Sequence, residues 1–596
     1  MSNTEYVIEM CKQQYEEMFD FYLSLGYSEK QAEKLCSSCF GAEIVVPESG
    51  VYYRADWSFY RKRRQQPFRE QSGFINSLFG KMSRSSAKNK NASFSRSVMV
   101  EDACAAMPMM EAQVMAAPLP AMPELQCLRE MPEEAPDFNT AETSNAAEIE
   151  ESGPLDKPQM IFSANVNSAS WSYIRDRVAQ SGKIDKSFVR IEEIINSYPF
   201  KLKKPEKDDL FRISIDHGKC PWNEGSELMM VGLKAKKSPK KVRQNLAFLV
   251  DVSGSMENDW VLTQMSIAAI MSKLKTGDFI SVIAYSDRTV TVAEKKKYID
   301  PDDCIDTILS IDGIGGCTNG SEGLTNAYNY LSDNFDEEGN NRVFIFTDGD
   351  FNFGITGEAN LSEFIRKKKE TGIYLSIVGF GRDNFKDNKM EALARNGNGN
   401  YTFVTNPEDI RDNLWEKLVS SLVTVAKDVK ISVELNPYYV KKYRLIGYDA
   451  RVLTQQEFND TEKAVDGIGS EHNVVALIEF SKGTAEKTYS TRYVKTESEG
   501  NKDEFAFIEI HYKTPDDVNS VMTYTVGIND LNKAKGKNMP VISLLAAFGL
   551  VIKDSKYKGS ADKELLRKLL ADVEKDESTD TRKPYGHFEI IRKYLA

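Results

Sequence analysis

The pattern of apolar and polar positions divides most of the chain into two kinds of region. Between residues 245 and 424, short apolar runs are separated by stretches with helical spacing, and the run Leu246–Val250 is the clearest of them. A short apolar run bounded by polar residues is typical of a strand that is buried on both faces. Repeated strand–helix units therefore predict an α/β domain with a doubly wound parallel sheet, a Rossmann-like arrangement.

Capping residues predict where helices of this region begin and end. The helix with an apolar face that starts at Trp260 should end before Gly277, since glycine is a suitable residue just past a helix. Asn406 and Pro407 supply an N-cap and a first-turn proline for a closing helix, which we expect to continue through Val425.

Strand patterns without intervening helices flank the α/β region on both sides. Two precede it, at residues 211–216 and 227–234, and further ones follow at residues 429–435, 443–448, 474–480, 505–512 and 521–526. Short strands at this spacing predict an antiparallel β-sandwich. Because the two early strands have no sheet of their own, we expect them to join this sandwich, so that the α/β domain is an insertion in it.

These patterns predict six segments, with helical segments at both ends of the chain. A proline-rich stretch between residues 105 and 136 has no sustained periodicity, which indicates a disordered linker. The predicted boundaries are a small helical segment at 1–80, an Ala/Met/Pro-rich linker at 81–158, helices and strands that join the sandwich at 159–243, the α/β domain at 244–426, the β-sandwich at 427–530 and a helical region at 531–596.

Composition restricts the possible partners and the location. The formal net charge of -12 argues against nucleic acid as a main partner. The eight cysteines are scattered, and Cys36 and Cys39 form a CxxC pair without a second pair, so no disulfide framework or zinc site is predicted. The start of the chain lacks a signal-peptide pattern, and no apolar run is long enough for a transmembrane segment. We therefore expect a cytoplasmic protein, and association with the cell envelope through a partner stays open.

Oxygen-bearing side chains follow two buried strands and one glycine-rich loop of the α/β region. They are Asp251, Ser253 and Ser255 after the first strand, Thr318 in the loop, and Asp348 after a later strand. The carboxyl ends of parallel strands meet at the same edge of a sheet, where such folds bind their ligands. Carboxylate and hydroxyl oxygens are hard donors that suit Mg²⁺, and Mn²⁺ or Ca²⁺ would fit the same set.

This D-x-S-x-S…T…D set resembles the metal-ion-dependent adhesion site (MIDAS) of von Willebrand factor type A (VWA) domains. Residues 160–596 are also similar to bacterial VWA proteins labelled calcium-activated chloride channel homologues, although no segment here could cross a bilayer. The segments that carry this second resemblance are Ile191–Asn196, Cys220–Asn223, Asn396–Tyr401, Val425–Lys430, Tyr443–Tyr448 and the C-terminal helices.

The resemblance implies a role for each of these site residues. Ser253 and Ser255 would bind the ion directly, Thr318 directly or through a water, and Asp251 and Asp348 mostly through bound waters. An ion with few direct carboxylate ligands can accept an Asp or Glu from a protein partner, and an AAA-type ATPase is one partner at the level of the family. The expected function is thus metal-dependent protein binding without catalysis.

Two alternatives remain open at this stage. A metal-dependent hydrolase is disfavoured because Asp251-x-Ser253 is not a G-x-S-x-G nucleophile motif, and because the histidines lie outside the α/β region. A nucleotide-binding G-x-x-x-x-G-K-[ST] loop is also absent from the sequence. In the second alternative the protein is a structural scaffold, in which the ion only ties loops together.

Overall fold

A computed structural model describes the chain in separate ranges. These are residues 17–39, 147–164, 169–206, 209–238, 242–286, 288–298, 301–311, 320–348, 358–381, 387–411, 413–414, 423–461, 463, 465, 467–484, 502–534, 536–575 and 586–596. All of them belong to one unit of the structure.

A helical hairpin, defined as residues 17–39, is the first described part of the chain. Helical residues 17–24 are followed by a turn and by helix α1 (Glu29–Cys39). A capping box starts this helix, since the Ser28 amide donates to Gln31 Oε1 at 2.9 Å and the Gln31 amide donates to Ser28 Oγ at 3.4 Å. Residues 17–39 are thus helical, and residues 1–16 and 40–80 of the predicted helical segment lie outside the described ranges.

The next described elements belong to the β-sandwich and its helices. They are β1 (Gln159–Ser163), α2 (Ala169–Ala179), α3 (Ile191–Ser197), β2 (Phe211–Lys219) and β3 (Ser226–Ala235). Strand β1 was not predicted. Residues 147–158, which the sequence assigned to the linker, pack against the sandwich, because Ser152 forms an antiparallel bridge with Tyr443 and the Ile149 amide donates to Asp449. The predicted linker boundary at 158 is therefore wrong.

The α/β domain contains a six-stranded sheet with helices on both faces. Its strand order is β6-β5-β4-β7-β8-β9, and all neighbours are parallel except the antiparallel edge pair β5–β6. Its elements are β4 (Gln244–Asp251), α4 (Trp260–Met271), β5 (Phe279–Tyr285), β6 (Thr289–Lys297), α5 (Pro301–Leu309), α6 (Gly320–Asp333), β7 (Asn340–Thr347), α7 (Glu358–Glu370), β8 (Ile373–Gly379), α8 (Asp387–Asn396), β9 (Tyr401–Phe403) and α9 (Pro407–Asp409).

Every residue of the central strand β4 is buried, as the apolar run predicted. Alternate residues of β4 face two separate cores, with Leu246, Phe248 and Val250 on one side and Ala247 and Leu249 on the other. Helices on both faces exclude water from this strand, so a continuous apolar sequence is the stable one here.

Two helix ends differ from the sequence prediction. Helix α4 ends at Met271, so Gly277 does not cap it directly, although that glycine does adopt a positive φ of 106°. Asn406 caps the closing helix as predicted, but Thr424 and Val425 already belong to a strand. Thr424 and Ala426 pair with Gly469 and Ile468, and this strand pairing overrides the helical interpretation.

The remaining elements complete the sandwich and add C-terminal helices. They are β10 (Thr424–Leu435), β11 (Val440–Ile446), α10 (Gln455–Asn459), β12 (Ile468–Gly469), β13 (Asn473–Lys482), β14 (Glu504–Lys513), β15 (Asn519–Gly527), α11 (Ile528–Lys533), α12 (Met539–Lys553), α13 (Lys563–Lys575) and α14 (His587–Leu595).

The sandwich consists of two antiparallel sheets that use strands from both sides of the α/β domain. Sheet A has the order β1-β10-β14-β15, with β12 beside β10, and sheet B has the order β11-β13-β3-β2. Strands from before and after the α/β domain are thus direct neighbours, as in the pairing of β3 with β13. The α/β domain is inserted in the sandwich, as predicted.

Sheet B is covered on its second face by helices α2, α3, α12, α13 and α14. Leu228 and Met230 of β3 and Leu477 of β13 share a core with Ile194 and Phe548 of this helical layer. The opposite faces of the same strands pack against sheet A, with Met229 and Ile478 in that core. Among the described helices, none is both long and apolar enough to cross a lipid bilayer.

Candidate functional site

The carboxyl edge of the α/β sheet brings together most of the oxygen-bearing residues predicted from the sequence. Strand β4 ends at Asp251, which is fully buried, and Ser253 directly after it is 2% exposed. The 3₁₀ turn Gly254–Asn258 then brings Ser255 back beside Ser253, and their two Oγ atoms lie 3.0 Å apart. Ser255 is exposed to solvent.

Asp251 is held in place by hydrogen bonds from three neighbours. The backbone amide of Ser253 donates to Asp251 Oδ1 at 2.9 Å. The Tyr285 hydroxyl donates to Asp251 Oδ2 at 3.0 Å, and the Thr347 hydroxyl donates to the same oxygen at 3.3 Å. Both donors stand at the ends of the strands that flank β4, so the parallel register itself places them beside Asp251.

A second carboxylate, Asp348, lies at the same edge. It follows β7 directly and is 7% exposed. Burial raises the pKa of Asp251, the hydrogen bonds from Ser253 oppose this change, and the negative charge of Asp348 raises the pKa further. A buried carboxylate whose pKa is raised further by a second carboxylate beside it lies in an environment where a cation would be stabilising.

Thr318 lies outside the described residues, so its predicted position beside Asp251 stays a prediction. The loop that contains it joins α5, which ends at Leu309, to α6, which begins at Gly320.

Three residues near the edge were missed by the sequence analysis. Tyr285 and Thr347 hold Asp251, and Asp259 lies close to Gly381, where a built Cβ atom would be 3.8 Å from Asp259 Oδ2 and 3.8 Å from Asp348 Cβ. The position of Tyr285 at the end of the strand after β4 was a usable signal, because parallel strand ends meet at this edge.

Within the described ranges, no group of three or more His, Cys, Asp and Glu side chains is placed to hold a metal ion. The described side chains that could bind a metal ion at the sheet edge are instead two hydroxyls and two carboxylates, so every ligand atom they offer is oxygen. This set lacks the thiolate and imidazole groups that structural zinc sites use, and it fits a hard divalent cation.

A serine–histidine pair does form elsewhere, between Ser197 of α3 and His587 of α14. Ser197 Oγ lies 2.7 Å from His587 Nε2, and the hydroxyl donates to the Ile194 carbonyl at 2.7 Å. Since the serine proton is used in that way, Nε2 is the donor to Ser197. The histidine ring stacks on Trp171 at 4.1 Å, and both Ser197 and His587 are 2% exposed. The pair therefore fastens α14 to α3 and offers no accessible nucleophile.

Removal of the Tyr285 hydroxyl tests how firmly the protein holds Asp251. The Tyr285→Phe variant should lose about 1–3 kcal/mol of unfolding free energy, because a buried carboxylate oxygen loses a donor. Chemical denaturation measures this loss. Tyr330→Phe is the matched control, since its hydroxyl makes an exposed contact of 2.9 Å with Thr291. Equal stability of the two variants would contradict the role assigned to Tyr285.

Three family models match successive parts of the chain. The model described as von Willebrand factor type A domain matches residues 245–416, and the one described as uncharacterized protein YfbK, C-terminal, matches residues 420–592. A third, described as von Willebrand factor, matches residues 137–230. The α/β domain thus coincides with the first of these families, and residues 1–136 lie outside the three matched ranges.

Individual proteins are similar to longer stretches of the chain. Uncharacterized protein YfbK of Escherichia coli (strain K12) is 29% identical over 461 residues, which cover 72% of this chain and 80% of that protein. Among solved structures, a von Willebrand factor type A protein from Catenulispora acidiphila is 12% identical with a TM-score of 0.35, covering 65% of this chain and 96% of that one. The ArnB paralog VWA2 from Sulfolobus acidocaldarius is 12% identical with a TM-score of 0.31, covering 65% and 98%.

The family-model match over residues 245–416 confirms the predicted VWA fold, and none of the three matching family models supports the chloride channel label. The chain contains a von Willebrand factor type A domain, followed by a domain of the kind that ends the uncharacterized protein YfbK.

Proposed function

We propose that the carboxyl edge of the VWA sheet binds a divalent cation, Mg²⁺ by donor preference, and that the ion recognises an acidic residue of a protein partner. Asp251, Ser253, Ser255, Thr318 and Asp348 are the proposed site residues. The observation that carries the proposal is the pair of Ser253 and Ser255 hydroxyls, 3.0 Å apart directly after buried Asp251. Hydroxyl ligands leave the charge of the ion largely uncompensated, so it attracts a further carboxylate.

The site residues divide into ligands and supporting charges. Ser253 and Ser255 would hold the ion through their hydroxyls, with Thr318 from the neighbouring loop, and Asp348 would add negative charge. Asp251 orients the first loop, since its Oδ1 atom already accepts the Ser253 amide. A bound cation would supply electrostatic attraction for the incoming carboxylate, and Mn²⁺ or Ca²⁺ could occupy the same donors.

The geometry favours binding over hydrolysis. A general base needs an oxygen that can accept a proton from a substrate or a water. Both Asp251 oxygens already accept hydrogen bonds within the protein, and the carboxylate is fully buried. The ion could also act only as a structural tie between loops, and the experiment below separates that role from binding.

The experiment combines calorimetric titration with Mg²⁺ and protein capture on immobilised full-length chain. We expect Mg²⁺ to bind the wild type, and capture of a protein partner to disappear in EDTA. Ser253→Ala should lower Mg²⁺ affinity by at least about 10- to 100-fold and abolish capture. Ser332→Ala, an exposed serine on α6, is the matched control and should behave as the wild type.

Two outcomes count against the proposal. If Ser253→Ala still captures its partner in the presence of Mg²⁺, the hydroxyl pair is not the binding site. If Mg²⁺ binds but capture is identical in EDTA, the ion is a structural tie. Identification of the captured protein also tests whether it is an AAA-type ATPase.

A further inference from the structure

The two sheets of the sandwich have four edge strands, which are β1 and β15 in sheet A and β11 and β2 in sheet B. The first of them, β1, is covered by a later part of the chain. The Ser163 amide donates to the Arg451 carbonyl at 3.1 Å, and the Leu453 amide donates to the Ile161 carbonyl at 2.9 Å. These bonds satisfy backbone groups that an open edge would leave free for another chain.

The two edges of sheet B are covered in the same way. On β11, Tyr443 exchanges two backbone hydrogen bonds with Ser152, at 3.0 and 2.9 Å. On β2, the His217 amide donates to the Ala534 carbonyl at 2.8 Å. Three of the four edges of the sandwich therefore have a segment of this chain bonded to them.

Strand β15 (Asn519–Gly527) is the fourth edge. It pairs with β14 on its inner side, and within the described ranges no residue forms a backbone hydrogen bond to its outer side. Val521 in this strand is 57% exposed, and Val518 in the turn before it is 58% exposed. In the part of the chain that the structure describes, these are the two most exposed large hydrophobic side chains.

The sequence of β15 also lacks the features that keep an open edge from pairing. Residues 519–527 include no charged residue and no proline, in a chain with 28% charged residues. By contrast, β6 at the edge of the VWA sheet ends in the charged run Glu294–Lys297. Lysines and prolines on edge strands oppose pairing with another chain. A nine-residue edge without them is suited to receive an incoming strand.

The symmetry of an antiparallel pair favours a second copy of β15 as that strand. The midpoint of β15 is Thr523, so full overlap of two antiparallel copies places Thr523 opposite itself. On the outer face, Val521 then lies opposite Thr525. On the core face, Met522 lies opposite Tyr524, and both are only partly buried at the sandwich core in one copy. A charge near the midpoint would meet its own like charge, whereas all these pairs are uncharged and of favourable types.

We propose that β15 of one copy of this chain pairs with β15 of a second copy, so that sheet A continues across a two-fold axis as β1-β10-β14-β15-β15-β14-β10-β1. Nine residues in each strand form roughly eight backbone hydrogen bonds across the axis. The contact is small for a protein interface, so the dimer is weak and depends on concentration. It lies on the sandwich and includes none of the proposed metal-site residues.

Sedimentation equilibrium of the full-length chain over a range of concentrations tests this pairing. We expect the mass to rise from the monomer value of 67.3 kDa towards twice that value. Thr523→Lys places two lysines opposite each other on the axis and should raise the dissociation constant at least about tenfold. Within one copy the new lysine lies opposite Glu509 of β14, so the variant keeps its fold. Val290→Lys, at an exposed position of β6, is the matched control and should dimerise like the wild type.

A cysteine crosslink locates the two-fold axis. Thr523→Cys should form a covalent dimer under mild oxidation, because directly opposed Cβ atoms in antiparallel strands are about 4.5–5.5 Å apart. Thr525→Cys is the control on the same exposed face. It lies opposite Val521 of the second copy, so it should crosslink far less.

Three results overturn the proposal: a wild type that stays at monomer mass at every concentration, an unchanged dissociation constant in Thr523→Lys, or equal crosslinking of the two cysteine variants. Two of the possible monomeric outcomes identify another occupant. If Thr523→Lys alone loses a protein that the monomeric wild type captures, the edge receives a strand of that protein. If the amides of β15 all exchange slowly in the monomer, residues of this chain outside the described ranges cover the edge.

Discussion

Replacing Asp409 by alanine is expected to lower the free energy of unfolding by about 3–5 kcal/mol. Asp409 is fully buried at the start of the closing helix and forms an ion pair with Arg175 of α2, which is 7% exposed. It also accepts hydrogen bonds from Ser172 Oγ at 2.6 Å, from Thr405 Oγ1 at 2.8 Å and from Asn413 Nδ2 at 3.3 Å. Its removal leaves a buried guanidinium without its carboxylate.

Chemical denaturation with matched variants measures this effect. Glu408→Ala is the control, because Glu408 is the exposed neighbour of Asp409 and its substitution also removes one negative charge. In a double-mutant cycle with Arg175→Met, the combined loss should be smaller than the sum of the single losses, since the unpaired charge disappears. Additive losses would show that the two residues do not stabilise each other.

Replacing Glu479 by alanine is also expected to lower the free energy of unfolding by about 3–5 kcal/mol. Glu479 of β13 is 7% exposed and pairs with Arg444 of β11, with 2.9 Å between Oε2 and NH2. Trp222 Nε1 and Asn223 Nδ2 donate to the same carboxylate at 3.3 and 2.9 Å. The Arg444 guanidinium also stacks on Tyr557, 4.4 Å from the ring centre. When Arg444 loses the Glu479 carboxylate, its contact with Tyr557 in the C-terminal region should therefore weaken too.

The thiol of Cys220 gives this second prediction an independent readout. Burial, with a smaller contribution from the charge of Glu479, raises the pKa of Cys220 to about 12. In Glu479→Gln the negative charge is gone, so the pKa of Cys220 should fall. Glu224→Ala, at an exposed position beside Asn223, is the control for both measurements. A stability change equal to that of the control would contradict the role assigned to Glu479.

The sequence predicted those features that depend on local pattern. The apolar run before Asp251 predicted a strand buried on both faces, and the alternation after Val429 predicted the sandwich. The edge position of Asp251, Ser253 and Asp348 followed from the rule that parallel strand ends share one edge. Each of these inferences needed only neighbouring residues and the topology.

Contacts between distant segments could not be predicted in this way. Arg175 and Asp409 are 234 positions apart, and the sequence around either residue does not indicate that the other is its partner. The N-terminal segment was predicted to be helical, but its sequence did not indicate that it packs against α4 and α5. The Cys220–Asn223 motif was visible in the sequence, yet only the structure shows that its side chains converge on Glu479.

The insertion of the VWA domain between strands of one sandwich has a consequence for biosynthesis. Ser163 of β1 pairs with Lys430 of β10, and Lys234 of β3 pairs with Asn473 of β13. A ribosome therefore delivers the first sandwich strands long before their neighbours exist, while the intervening domain can fold as a unit. Strand β1 lacks its neighbour until translation passes Leu435, and β3 lacks its second neighbour until translation passes Lys482. In this interval the apolar faces of the first sandwich strands are exposed, which makes the nascent chain prone to aggregation.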